Sequence, residues 1–102
     1  MYRIQVTGQT QKQMEQIFSY IFEQLCNPAA AVNLLNEIEE KYRGLIENPL
    51  RYGLAEDPVL AAKRYRKIPV HKYVILYRVD ETEKTVYIMG IFHKLENYRK
   101  KM

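Results

Sequence analysis

Lysine, arginine, histidine and tyrosine crowd the second half of this 102-residue chain, and they are the side chains that phosphodiester chemistry without a metal would use. Cutting an RNA strand in that way takes a base for the ribose 2′-hydroxyl, cations around the phosphate and an acid for the departing 5′-oxygen. Tyr65 and Lys67 share a face of one expected strand, Arg78 lies on the next, and His93, Lys94 and Tyr98 fall where the last strand runs into the tail. Histidine and tyrosine can carry the protons, while lysine and arginine can stabilise the phosphorane. Packing competes for several of these residues. Tyr65, Tyr73, Tyr77 and Tyr87 read as core and edge residues, and His93 reads also as a strand-end histidine with no chemical duty.

Other chemistries find less support. No phosphate loop, GxGxxG, HExxH or GxSxG motif occurs, and no cofactor is expected. His71 and His93 are the only histidines and each is followed by a lysine, a poor basis for a metal site. Cys26 is the only cysteine, which rules out an internal disulfide and a cysteine-based zinc cluster and fits a reducing cytoplasm. It reads as a packing residue at a helix end rather than a nucleophile.

The formal charge of +4 is modest, but its distribution is uneven. Residues 1–51 carry five basic and six acidic side chains, residues 52–102 eleven and six. Between Lys63 and Arg78 stand Lys63, Arg64, Arg66, Lys67, Lys72 and Arg78, with no acid among them. Such a stretch suits a polyanion or an acidic protein, although basic residues also serve simply to solvate an exposed strand. A hydrophobic content of 47% over this length supports one small core, so a single domain spanning residues 1–102 is expected. The N-terminus lacks a signal-peptide pattern, and no apolar run approaches the roughly 20 residues that span a bilayer.

The elements that must position these residues follow from periodicity. Tyr2, Ile4 and Val6 alternate with Arg3 and Gln5, as in a half-buried strand ended by Thr7-Gly8. Met14, Ile17, Phe18, Ile21, Phe22 and Leu25 then draw an apolar stripe on a helix from about residue 9 to 25, with Thr7 or Thr10 as N-cap. Asn27-Pro28 starts a second helix, whose stripe is Ala31, Leu34, Leu35, Ile38, Tyr42, Leu45 and Ile46 and which Asn48-Pro49 halts. So short a link makes the pair an antiparallel hairpin. A surface loop follows from Pro49 to Pro58. Strands return at Arg64–Val70, Tyr73–Val79 and Thr85–His93, with a turn at Asp80–Glu83, and the last two are apolar on both faces. Residues Leu95–Met102 read as a short basic helix or a frayed tail. The order β-α-α-β-β-β describes an α+β fold in which a helical hairpin packs on one face of an antiparallel sheet.

The segment Tyr65–Tyr98 closely resembles the sheet of RelE/ParE toxins, the toxin halves of bacterial type II toxin–antitoxin and plasmid-stabilisation systems. In that family a basic strand leads into Y-x-x-x-Y-x-V, here Tyr73, Tyr77 and Val79, then an acidic turn, then I-x-H-x-x-x-x-Y, here Ile91, His93 and Tyr98. Asn27–Gly53 resembles the second helix and proline stop of the ParE-like branch. The resemblance implies a cytoplasmic toxin neutralised by a cognate antitoxin, whose C-terminal segment wraps it. Lys63, Arg64, Tyr65, Arg66, Lys67, Lys72, Arg99 and Lys100 are the expected antitoxin- or target-binding surface. RelE-like members cleave mRNA on the ribosome, and ParE-like members poison DNA gyrase. For a nuclease the candidate catalytic set is Lys67, Arg78, His93, Lys94 and Tyr98. Against it, Val74 stands where ribosome-dependent nucleases usually carry arginine, and His93-Lys94-Leu95-Glu96-Asn97 stands where many relatives read H-G-R-R-D. Losing one preorganised cation costs on the order of 3 kcal/mol of transition-state stabilisation. The expectation is therefore a ParE-like gyrase poison, with a ribosome-dependent mRNA endonuclease as the second reading and a degenerate binding module of the same fold as the third.

Overall fold

Thr7 ends the first strand and caps the first helix in one step: its Oγ1 accepts from the Thr10 N–H at 3.2 Å, while its own backbone remains extended. A computed structural model describes all 102 residues. The elements are β1 (Arg3–Val6), α1 (Gly8–Ser19), α2 (Pro28–Glu47), α3 (Pro58–Ala62), β2 (Arg66–Val70), β3 (Tyr73–Asp80) and β4 (Thr85–His93). A π-helical turn (Tyr20–Gln24) continues α1, and a 3-10 turn (Tyr98–Lys101) closes the chain. Asn27 caps α2 as expected, accepting from the Ala30 N–H ahead of Pro28.

The strands form one sheet in the order β1-β4-β3-β2. β2, β3 and β4 are antiparallel neighbours, as expected, whereas β1 runs parallel to β4 with Ile4 beside Val86. The sheet is thus mixed. Strand patterns reveal which segments are extended but not which way a partner some 80 residues distant will run. α1 and α2 cover one face. Ala31, Leu34, Ile38 and Leu45 of α2 bury there against Ile68, Val70, Ile75, Tyr77, Val86, Ile88 and Ile91, with Ile21 from the π turn.

The first-helix stripe departs from expectation at its end. Ile21 is buried, but Phe22 and Leu25 are 44% and 55% exposed. The π turn supplies the reason, because its wider winding rotates the apolar stripe off the sheet. Cys26, at φ 49°, then breaks the helix and turns the chain into α2.

Residues 48–65 are more ordered than a plain loop. Pro58 opens α3, which Asp57 caps by accepting from Val59 and Leu60. The Tyr77 hydroxyl donates to the Pro49 carbonyl at 2.8 Å, and Arg66 Nη1 donates to the Tyr52 carbonyl at 2.6 Å. Leu54 bridges to Arg66, closing part of the β2 edge.

β4 carries one irregularity. Leu76 pairs with Gly90 but Tyr77 pairs with Ile88, so Met89 is an extra residue and β4 has a bulge. β1 ends just before this point, leaving β4 backbone without a strand beside it. Side chains of α1 fill the gap. The buried Thr10 hydroxyl donates to the Ile88 carbonyl at 2.9 Å, and the Gln13 carbonyl accepts from the Ile91 N–H at 2.9 Å.

Replacing Gln13 by leucine orphans the Ile91 N–H and is expected to cost about 1–3 kcal/mol in urea unfolding. Gln11→Leu removes only an exposed bond to the Val6 carbonyl and should stay within about 0.5 kcal/mol of the parent.

Candidate interaction face and active site

Side chains alternate across a strand, so the sheet face away from α1 and α2 takes Lys67 from β2, Val74, Leu76 and Arg78 from β3, and Tyr87 and Phe92 from β4. Lys67 lies opposite Leu76, which sets it diagonally beside Arg78, and Arg78 lies opposite Tyr87. α3 and the tail cover the rest of this face. Ala55, Leu60, Tyr65, Val74, Leu76 and Phe92 form a second apolar cluster, with Met89, Tyr98 and Met102 packed on its rim. Tyr98 stacks on Phe92, ring centroids 5.6 Å apart. The Phe92 ring in turn lies over Gly90, where a Cβ would stand 2.6 Å from Cε2. Glycine is required here because that ring occupies the space of any side chain.

Of the five candidate catalytic residues, the structure brings Lys67, Arg78 and Tyr98 to this face. His93 lies on the other. Beyond the bulge, Ile91 and His93 turn toward the helices, and His93 meets Tyr73 edge to face at 5.8 Å. Its Nδ1 accepts from the Leu95 N–H at 3.1 Å, so in the neutral ring the proton sits on Nε2. Lys94 is exposed at the turn, its N–H donating to the Lys72 carbonyl. Val74 is fully buried.

The expected binding surface also divides. Tyr65 is buried, and Arg66 is committed to the Tyr52 carbonyl. Arg99 pairs with Asp57 at 2.7 Å. Lys63, Arg64, Lys67, Lys72 and Lys100, like Arg78, form no ion pair, since the chain's only ion pairs are His71–Glu37, Arg99–Asp57 and Lys101–Glu96. No three His, Cys, Asp or Glu side chains come together, so no metal-ligand set can be named. Sequence reasoning missed a concavity on the helical side, about 920 Å³, between the π turn, the start of α2 and the β2–β3 hairpin tip. Nothing in the local pattern marks it, because its walls come from four separate segments.

Two carboxylates hold the tail. Desolvation pushes Asp57 upward, but the Leu60 and Val59 N–H groups and Arg99 outweigh it and leave its pKa below the ordinary value. Glu96 is likewise raised by desolvation and lowered further by Lys101 and the His93 N–H, with a net downward shift. Groups with lowered folded pKa values contribute stability above their unfolded values, near pH 4, and lose it as pH falls through the folded ones.

These features define a class: a small α+β protein whose helical hairpin backs a four-stranded sheet with a partly basic open face. The family model for the ParE toxin of type II toxin–antitoxin systems, parDE, matches residues 4–98. The chain belongs to this family, within the RelE/ParE superfamily. Among solved structures it is similar to a chain of the chromosomal ParDE system of P. aeruginosa, at 18% identity and a TM-score of 0.70 over 91% of this chain and 96% of that one. It is also similar to a chain of the RelBE2 complex of Mycobacterium tuberculosis, at 18% identity and 0.62 over 91% and 98%. The intact E. coli RelBE complex supplies a third, at 19% identity and 0.59 over 95% and 100%. At such identities these likenesses show the fold alone. Among curated proteins none matches at a significant level.

Acidification below about pH 4 should release the tail before the sheet, seen as faster hydrogen exchange at Tyr98 and Met102 while the β3 and β4 amides stay protected. In Asp57→Asn that release should already be present at pH 7.

Proposed function

We propose that the chain is a growth-inhibiting toxin held in check by a cognate antitoxin, and that it disables its target by binding, as a gyrase poison does, rather than by cutting RNA. The observation that carries this reading is the division of the acid–base set: His93 lies behind the sheet from Lys67 and Arg78. A proton carrier on the far side of a packed sheet cannot reach a phosphate held by those cations. Val74 is an apolar residue in the core at a position where the nuclease would need a cation, and no arginine follows His93. Two absent cations leave little of the electrostatic stabilisation such a reaction requires.

The unpaired cations suit binding better. Lys63, Arg64, Lys67 and Arg78 sit on or beside one face without internal partners, so their field is available to an acidic protein segment or to an enzyme working on DNA. The second reading, ribosome-dependent mRNA cleavage, draws on Lys67, Arg78 and Tyr98 sharing that face. Its proton carrier would be Tyr98 rather than His93. Either target places the action in the cytoplasm, and no helix is long and apolar enough to cross a membrane.

Induction in a bacterial host should arrest growth with a DNA-damage response while mRNA stays intact. His93→Ala should leave the arrest unchanged, whereas loss of a general acid or base in a nuclease would slow cleavage by about 10²–10⁴. Codon-specific cuts at the ribosomal A site that disappear in Lys67→Ala or Tyr98→Phe would establish the nuclease instead. No growth effect from accumulated folded protein would leave only the binding-module reading.

A further inference from the structure

Leu95 is 90% exposed, whereas every other exposed large hydrophobic residue apart from Met1 is at most 55% exposed. The turn that carries it is tethered from several sides. The Lys94 N–H donates to the Lys72 carbonyl at 2.9 Å, the Glu96 N–H donates to the His93 carbonyl at 3.1 Å, and Glu96 Oε1 accepts from the His93 N–H at 2.8 Å. The His93 ring adds a bond from the Leu95 N–H that faces water, which can replace it. A fixed turn thus displays one bare aliphatic side chain. Its surroundings are cationic: Lys94 precedes it and Lys72 occupies the adjoining β2–β3 turn, both exposed and free of ion pairs. The neighbouring acid, Glu96, is taken by Lys101, and Glu37 of α2 is taken by His71.

A protein surface is a poor match for this arrangement. Interface cores are apolar and depleted in lysine, and here one leucine stands between lysines with no second apolar side chain on its turn. Single-stranded nucleic acid needs open aromatic platforms. The rings flanking the turn, His93 and Tyr98, are already engaged by Tyr73 and Phe92. Duplex DNA suits both features, because proteins that grip its minor groove drive an aliphatic wedge between base pairs, neutralise phosphates with lysine and read the groove with side chains such as asparagine. Asn97 is exposed two residues after Leu95.

We propose that this turn is a DNA wedge: Leu95 enters a base step from the minor groove while Lys72 and Lys94 hold the adjacent phosphates. The proposal deepens the gyrase reading and rests on it for its role in the cell. Unstacking a step costs binding energy, and a duplex already bent by an enzyme has met part of that cost. The wedge therefore engages DNA best where an enzyme is deforming it, and once seated it holds the deformed state.

The test uses the full chain, short DNA duplexes with and without a mismatch at a central TA step, and 2-aminopurine beside that step to report unstacking. Binding is followed by fluorescence anisotropy, and each variant is checked by melting temperature. The parent should raise 2-aminopurine emission and bind the mismatched duplex about tenfold more tightly than the matched one, since a mismatch has already loosened the stack. Leu95→Ala should lose both effects and Leu95→Met should keep them. Lys72→Ala and Lys94→Ala should each lower the slope of log affinity against log salt by about 0.9. DNA binding without a change in emission, weakened by Lys67→Ala as much as by Lys94→Ala, would overturn the wedge in favour of DNA on the open face. Absence of binding even at low salt would overturn it as well, and a complex with purified gyrase that Leu95→Ala then weakened would make the turn a protein anchor and leave the gyrase reading standing. Growth arrest without a DNA-damage response would remove the gyrase reading, and the emission change would still decide the wedge.

Discussion

One inserted residue sets the chemistry of both faces. Up to Ile88 the even-numbered residues of β4 point to the helices, and beyond Met89 the odd-numbered ones do. Without the bulge His93 would stand on the same side as Lys67 and Arg78. The bulge persists because the backbone it frees has partners: the Thr10 hydroxyl takes the Ile88 carbonyl and the Gln13 amide takes the Ile91 N–H. Polar groups of α1, largely withdrawn from water, thus hold the strand out of phase, and an unpaired backbone group there would be costly.

This explains which parts of the molecule were legible in the sequence. β1, α2 and the two long strands are legible because one face of each is apolar at the right period, and Asn27-Pro28 and Asn48-Pro49 punctuate α2. The bulge is not legible. Alternation betrays a slipped phase only when the two faces differ in polarity, and Ile88, Met89, Ile91 and Phe92 supply apolar side chains to both. Lys67, Arg78 and His93 lie on the strands expected for them, while their division between faces depends on Met89. The same limit applies to Phe22 and Leu25, which continue a helical stripe on paper but follow a π turn that local spacing does not announce.

The two faces also differ in how their polar groups are used. Arg66, on the helical side of β2, and Arg99, in the tail, are consumed in holding the 48–57 segment and the tail, while Lys67 and Arg78 on the open side are left free. Burying Tyr65 beneath α3 follows from the same arrangement, since its ring fills the cluster that Leu60 and Phe92 share. Charge counted along a strand overstates the surface it presents, because part of that charge is spent on local structure.

The position of β1 has a consequence for how the molecule comes into being. Ile4 and its neighbour Val86 are separated by some 80 residues of chain, so the sheet closes only once β4 has been made. Chains cut short before β4 lack the strand that joins β1 to β3, and the Thr10 and Gln13 side chains then have no backbone to meet. A product that stops short of β4 accordingly cannot complete this sheet, and the folded form arises only after the residues up to His93 are in place.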